Sequence, residues 1–150
     1  MSIRYAHTNL IARDWRVLVD FYCAVFGCVP VPPERDFAGP LLELLTAQPG
    51  AHLRGMHLRL PGYSAENAPT LEVFTYVDLA DGLPPAVNRP GFGHIAFEVE
   101  DVAAAQEQVL AAGGRAVGEI VTLTQTTGAR VTLCYVSDPE GNIIELQRWE

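Results

Sequence analysis

The feature of this 150-residue chain that most constrains its fold is a weak internal repeat: His7 and His94, Asp14 and Asp101, and Gly27 and Gly114 each stand 87 positions apart. Self-similarity at one fixed offset is the mark of a fold assembled from copies of a single supersecondary unit. In each copy a short strand carries the histidine, within residues Ile3–Ile11 and Phe92–Val99, and an aspartate follows where a helix N-cap belongs. A carboxylate there accepts from first-turn N–H groups that have no other partner. After Asp14, the apolar residues Trp15, Leu18, Phe21, Tyr22, Val25 and Phe26 recur at three- and four-residue steps, and Gly27 supplies the left-handed stop. After Asp101 a slighter stripe of Val102, Ala105, Val109 and Ala112 runs to Gly113-Gly114.

Downstream the period changes to two, in Met56-His57-Leu58-Arg59-Leu60 and Ala129-Arg130-Val131-Thr132-Leu133, which predicts strands with one buried face. Pro61-Gly62 and Asn67-Ala68-Pro69 punctuate the first copy, and Asp138-Pro139-Glu140-Gly141-Asn142 makes a tight turn in the second. A final strand closes each, Thr70–Val77 and Asn142–Trp149. Each half therefore reads strand, helix, then several strands. The proline-rich stretch Asp81–Pro90 links a first module of about residues 1–80 to a second of about 90–150, within a single domain. Glu72 and Glu145 on the closing strands are 73 apart, 14 fewer than the histidines, so the first copy carries a longer connection. Pro30–Pro40 and Tyr63–Pro69 are the expected loops.

Composition narrows the function. The net charge is −8, and all ten cations are arginines with no basic run, which excludes a footprint for nucleic acid backbones. The longest apolar stretch, Phe21–Pro33, is shorter than the roughly 18 to 20 residues a bilayer demands, and Gly27, Pro30, Pro32 and Pro33 break it. No membrane partner is expected. Thr8, Asn9 and Arg13 interrupt any leader-like apolar run, so no cleaved signal peptide is expected. Cys23, Cys28 and Cys134 make an odd set without CxxC spacing, which fits packing roles in a reducing cytoplasm.

Glu72 lies between Leu71 and Val73, and Glu145 between Ile144 and Leu146, so each glutamate projects to the strand face opposite its apolar neighbours. Taken singly, a strand histidine is commonly structural and a strand glutamate commonly solvated. Both types recurring at matched places point instead to a shared site. Pseudo-symmetric packing of the halves would gather His7, Glu72, His94 and Glu145, a set of two nitrogens and two anionic oxygens. That set suits one divalent ion (Zn, Ni, Co, Mn or Fe) with coordination positions left open. His52 and His57 have no counterpart in the other copy. They read as a surface-loop residue and a residue on a strand's exposed face, with His57 placed so that it could line the same cup.

With these residues in view, the chain resembles the vicinal oxygen chelate superfamily, also called the glyoxalase, bleomycin-resistance and extradiol-dioxygenase superfamily. The match rests on His7-Thr8-Asn9-Leu10, Asp20-Phe21-Tyr22 leading to Val25-Phe26-Gly27, Leu71-Glu72-Val73, Gly93-His94-Ile95-Ala96-Phe97, and above all Asp138-Pro139-Glu140-Gly141-Asn142-Ile143-Ile144-Glu145-Leu146. The resemblance implies an α+β fold of two tandem βαβββ modules forming an open, cupped mixed sheet with helices outside. It implies a divalent metal held by His7, Glu72, His94 and Glu145.

A ligand order of histidine, glutamate, histidine, glutamate looks like glyoxalase I and methylmalonyl-CoA epimerase, so the resemblance implies a lyase or isomerase that abstracts a proton beside a metal-bound carbonyl. Either Glu145 or Glu72 would be the base. The alternatives are a metal-dependent ring-cleaving dioxygenase and a non-enzymatic protein that binds a small ligand such as a drug. The expected partner is a small molecule with adjacent oxygens, and the expected assembly a homodimer. Where bacterial glyoxalase I carries an arginine for glutathione, this chain has Asn9-Leu10-Ile11-Ala12, so the resemblance does not extend to that co-substrate.

Overall fold

The computed structural model of the protein describes residues 3–150, and the chain forms two compact units, one ending at Asp81 and the other spanning Gly82–Glu150. The first unit runs β1 (His7–Ile11), α1 (Trp15–Phe26), β2 (Val29–Ala38), α2 (Pro40–Thr46), β3 (His52–Arg59) and β4 (Thr70–Tyr76). Its four strands are ordered β1-β4-β3-β2, with β1 parallel to β4 and the other pairs antiparallel. The second unit runs β5 (Ile95–Glu98), α3 (Val102–Ala111), β6 (Arg115–Ala116), β7 (Val121–Thr124), β8 (Arg130–Ser137) and β9 (Ile143–Trp149). Its five strands are ordered β5-β9-β8-β6, with β7 also on β8 and β5 parallel to β9. The architecture is thus α+β, two mixed sheets built on one plan, with no closed barrel among the described residues.

Helices α1 and α3 begin and end where the sequence predicts, whereas α2 is not among the expected elements. Asp14 caps α1 by accepting from the backbone of Arg16 at 3.0 Å and of Val17 at 3.5 Å, and Gly27 ends it at φ 68°. Asp101 caps α3 through the Ala104 N–H at 3.0 Å. Each helix lays its apolar stripe on its own sheet, α1 across β3 and β4 and α3 across β8 and β9. Leu18, Phe21 and Tyr22 of α1 are buried, as are Leu58 of β3 and Leu71 and Val73 of β4. In the second unit Val102 and Val109 of α3 are buried, with Val136 of β8 and Ile144 and Leu146 of β9.

The surplus in the first unit is not the loop expected over Pro30–Pro40. That stretch forms the ten-residue strand β2 and the start of α2. Prolines at 30, 32 and 33 argue against a strand only when the strand is central, because proline cannot donate to a ladder. β2 lies at the sheet edge with one neighbour, and its register shifts between Val31 and Arg35, where Pro32 and Pro33 fall. The other expected loop, Tyr63–Pro69, is a connection without regular structure. His52 opens β3 instead of lying in a loop, and its Nε2 stands 2.6 Å from Asp36 Oδ1 across the β2–β3 pair.

A candidate metal centre

In the first unit the parallel pairing of β1 with β4 sets Asn9 opposite Glu72 and His7 opposite Thr70, two positions earlier on both strands. Positions two apart share a sheet face, so the His7 imidazole and the Glu72 carboxylate emerge side by side. His7 Nε2 lies 3.4 Å from Glu72 Oε2, and the side chains are 45% and 11% exposed. The second unit repeats this: His94 Nε2 lies 3.4 Å from Glu145 Oε2, with exposures of 38% and 14%. Each unit thus presents an accessible imidazole beside a largely buried carboxylate.

This separation is long for a hydrogen bond and suited to a common third partner. Two donors about 2.1 Å from one tetrahedral ion stand about 3.4 Å apart. Imidazole nitrogen with carboxylate oxygen is also a donor set that borderline divalent ions accept. The residues present therefore fit a divalent metal. Among the described residues, no group of three or more His, Cys, Asp or Glu side chains is gathered for a metal ion; the structure brings together the pairs His7–Glu72 and His94–Glu145, each within its own unit.

The sequence places His57 only as a residue that could line the cup and does not single out Tyr135, yet both hold the carboxylates, as does Asn9. His57 on β3 is directly opposite Glu72 on β4, and its Nε2 is 2.8 Å from Glu72 Oε1. Its Nδ1 lies 3.1 Å from the Thr70 hydroxyl. A carboxylate only accepts, so Nε2 carries the hydrogen and Nδ1 accepts from Thr70. Burial holds the His57 pKa below that of ordinary histidine; Glu72 works against this shift, and Arg35 and His7 add to it. The shift favours the neutral imidazole, whose contact with Glu72 is then a hydrogen bond from Nε2–H. Asn9 Nδ2 donates to Glu72 Oε2 at 3.2 Å.

Tyr135 on β8 occupies the equivalent place in the second unit, directly opposite Glu145 on β9. Burial raises the phenol's pKa, and its hydrogen bond to Glu145 and that carboxylate's charge raise it further, so the hydroxyl stays protonated and donates. Its ring also packs against His94, with centroids 5.2 Å apart. His57 likewise meets His7 edge-on at 5.9 Å and Phe74 at 5.8 Å. Phe74 can lie there because residue 55 on β3 is glycine. A Cβ at Gly55 would collide with the Phe74 ring and the Val73 carbonyl.

Comparison with known proteins agrees with this architecture. The family model of the Glyoxalase/Bleomycin resistance protein/Dioxygenase superfamily matches residues 4–146, and the chain belongs to that superfamily. No curated protein matches the chain. Among solved structures, a glyoxalase family protein from Bacillus cereus superposes with a TM-score of 0.82 at 18% identity, covering 99% of this chain and 95% of its own. A glyoxylase/bleomycin resistance protein/dioxygenase domain from Frankia sp. EAN1pec gives 0.64 at 16% identity, with both chains covered completely at 100%. The fosfomycin resistance protein FosX from Listeria monocytogenes, solved with Mn(II) and sulfate ion, gives 0.52 at 15% identity over 99% of this chain and 93% of its own. At these identities the likeness is one of fold.

Proposed function

We propose that the protein is a divalent-metal-dependent lyase or isomerase of the glyoxalase I or methylmalonyl-CoA epimerase type, with His7, Glu72, His94 and Glu145 as metal ligands. The observation that carries this reading is the twofold recurrence of an imidazole nitrogen 3.4 Å from a carboxylate oxygen. The Mn(II) in FosX supports a metal role for the fold, and the ion here is expected among Zn, Ni, Co, Mn and Fe. Bound there, such an ion supplies a Lewis acid for the negative charge that develops when a proton leaves a carbon next to a carbonyl.

The chain's own residues move that proton. Glu72 and Glu145 are the two candidate bases, both deep enough to be partly shielded from water. Asn9 and His57 grip Glu72 at different oxygens, so one bond can loosen while the other keeps the carboxylate aimed. Tyr135 aims Glu145 through a single hydrogen bond from its hydroxyl. We place both units in a single domain of a cytoplasmic homodimer whose substrate is a small molecule with adjacent oxygens.

The test uses metal-replete protein, elemental analysis and NMR detection of deuterium exchange, in D2O, into a methylmalonyl thioester and into a hemithioacetal of methylglyoxal. Bound divalent metal is expected, lost in His7→Ala and His94→Ala, with exchange into one substrate slowed by roughly a hundredfold or more in Glu72→Gln or Glu145→Gln. Unchanged metal content and exchange in both glutamine variants would overturn the assignment. Oxygen uptake with a catechol would favour the dioxygenase alternative. Absence of metal would favour a small-ligand binding protein.

A further inference from the structure

We infer that the first unit selects substrates whose oxygen-bearing end carries an aromatic or branched aliphatic group. The inference rests on the reading of Glu72 given above and adds a substrate class to it. A cavity of about 600 Å³ lies within this unit, a size usual for small-molecule sites. Leu42 and Leu53 in its lining are buried in an apolar cluster against which Phe74 packs. Phe37, Leu41 and Leu45 also line it and are 54%, 82% and 82% exposed, so they form its open side.

The same cavity reaches His57 and Glu72, with Arg35 also in its lining. One space therefore joins a carboxylate suited to metal and proton chemistry to a wall of leucine and phenylalanine. A ligand that sets two adjacent oxygens at Glu72 has its remaining atoms directed along Phe74 toward α2. A small, fully polar substrate leaves that wall wet, whereas an apolar group displaces the water and gains the burial. The exposure of Leu41 and Leu45 on α2 is thereby explained, since both face a ligand space.

The test compares two probes with one head group, acetohydroxamate and benzohydroxamate, each offering two adjacent oxygens, by titration calorimetry into Ni(II)-loaded protein. Benzohydroxamate is expected to bind at least tenfold more tightly. In Leu45→Asp and Leu41→Asp that preference is expected to fall below threefold while acetohydroxamate affinity holds. Both positions are exposed, so the variants should keep the parent circular dichroism and melting temperature. Equal affinities in the parent, or a preference surviving in both variants, overturns the inference.

A second arm omits metal and follows 4-fluorobenzohydroxamate by fluorine NMR. Line broadening with parent protein that is lost in Leu45→Asp supports the cavity; no broadening overturns it. If the protein takes up no nickel, the metal reading fails, and this arm still decides the cavity on its own.

Discussion

Glu72 is the residue on which three strands converge. β1 brings Asn9 and His7 to it and β3 brings His57, while β4 carries the glutamate itself. Groups that orient a ligand commonly govern metal affinity nearly as strongly as the ligands do. His57→Gln and Tyr135→Phe are therefore expected to weaken divalent-metal binding by roughly tenfold or more, read by competition with a chelator, with the fold intact. The repeat singles out His7, Glu72, His94 and Glu145 in the sequence, because each has a counterpart at a matched place, and the structure sets His7 beside Glu72 and His94 beside Glu145. His57 was not legible as a partner of Glu72, since its position opposite the glutamate depends on a β3–β4 register set across the irregular connection Tyr63–Pro69. Tyr135 could have been found. The turn Asp138–Asn142 pins Ser137 opposite Ile143, and counting back two residues on each side sets Tyr135 against Glu145.

At the level of elements, that turn is held by one side chain. Asp138, 1% exposed, accepts from the backbone of Glu140 at 2.9 Å and of Asn142 at 3.0 Å, and from Asn142 Nδ2 at 2.7 Å. Asp138→Ala strands these donors and is expected to cost about 2–3 kcal/mol in denaturant unfolding. Removing the α1 cap by Asp14→Ala is expected to cost about 1 kcal/mol in the same measurement. At the β2–β3 edge, the hydrogen bond from His52 holds the Asp36 carboxyl below its ordinary range, with Arg54 assisting and desolvation opposing. A carboxylate depressed in the folded state stabilises above its unfolded pKa, and that contribution is lost as pH falls through the folded value. Carbon-13 NMR titration should place the Asp36 midpoint lower in the parent than in a His52→Ala variant. The limits of α1 and α3 were legible because caps and stops are local chemistry; α2, with Gly39 at its N-cap and no side-chain cap hydrogen bond, gave no such signal. The strand character of Val29–Ala38 was not: it depends on lying at an edge, a property of the sheet and not of the segment.

For the whole molecule, the duplicated plan was readable from an 87-residue offset, and the family match over residues 4–146 agrees with it. If each pair contributes to holding an ion, binding adds to folding stability by mass action, about 2.7 kcal/mol at a hundred times the dissociation constant. Thermal unfolding should shift upward on adding Mn(II), Ni(II) or Zn(II), return with EDTA, and not shift in a His7→Ala, His94→Ala double variant. The parallel pairing of β1 with β4, and of β5 with β9, has a consequence for assembly. Every residue between the two partner strands must emerge and find its place before either imidazole meets its carboxylate. These are the long-separation contacts that slow folding, because the entropy of ring closure is lost before any reward arrives. On the ribosome, a nascent chain without β4 has no donor pair to offer, so a cation bound by these pairs would arrive as a seal on finished architecture and not as a seed for it.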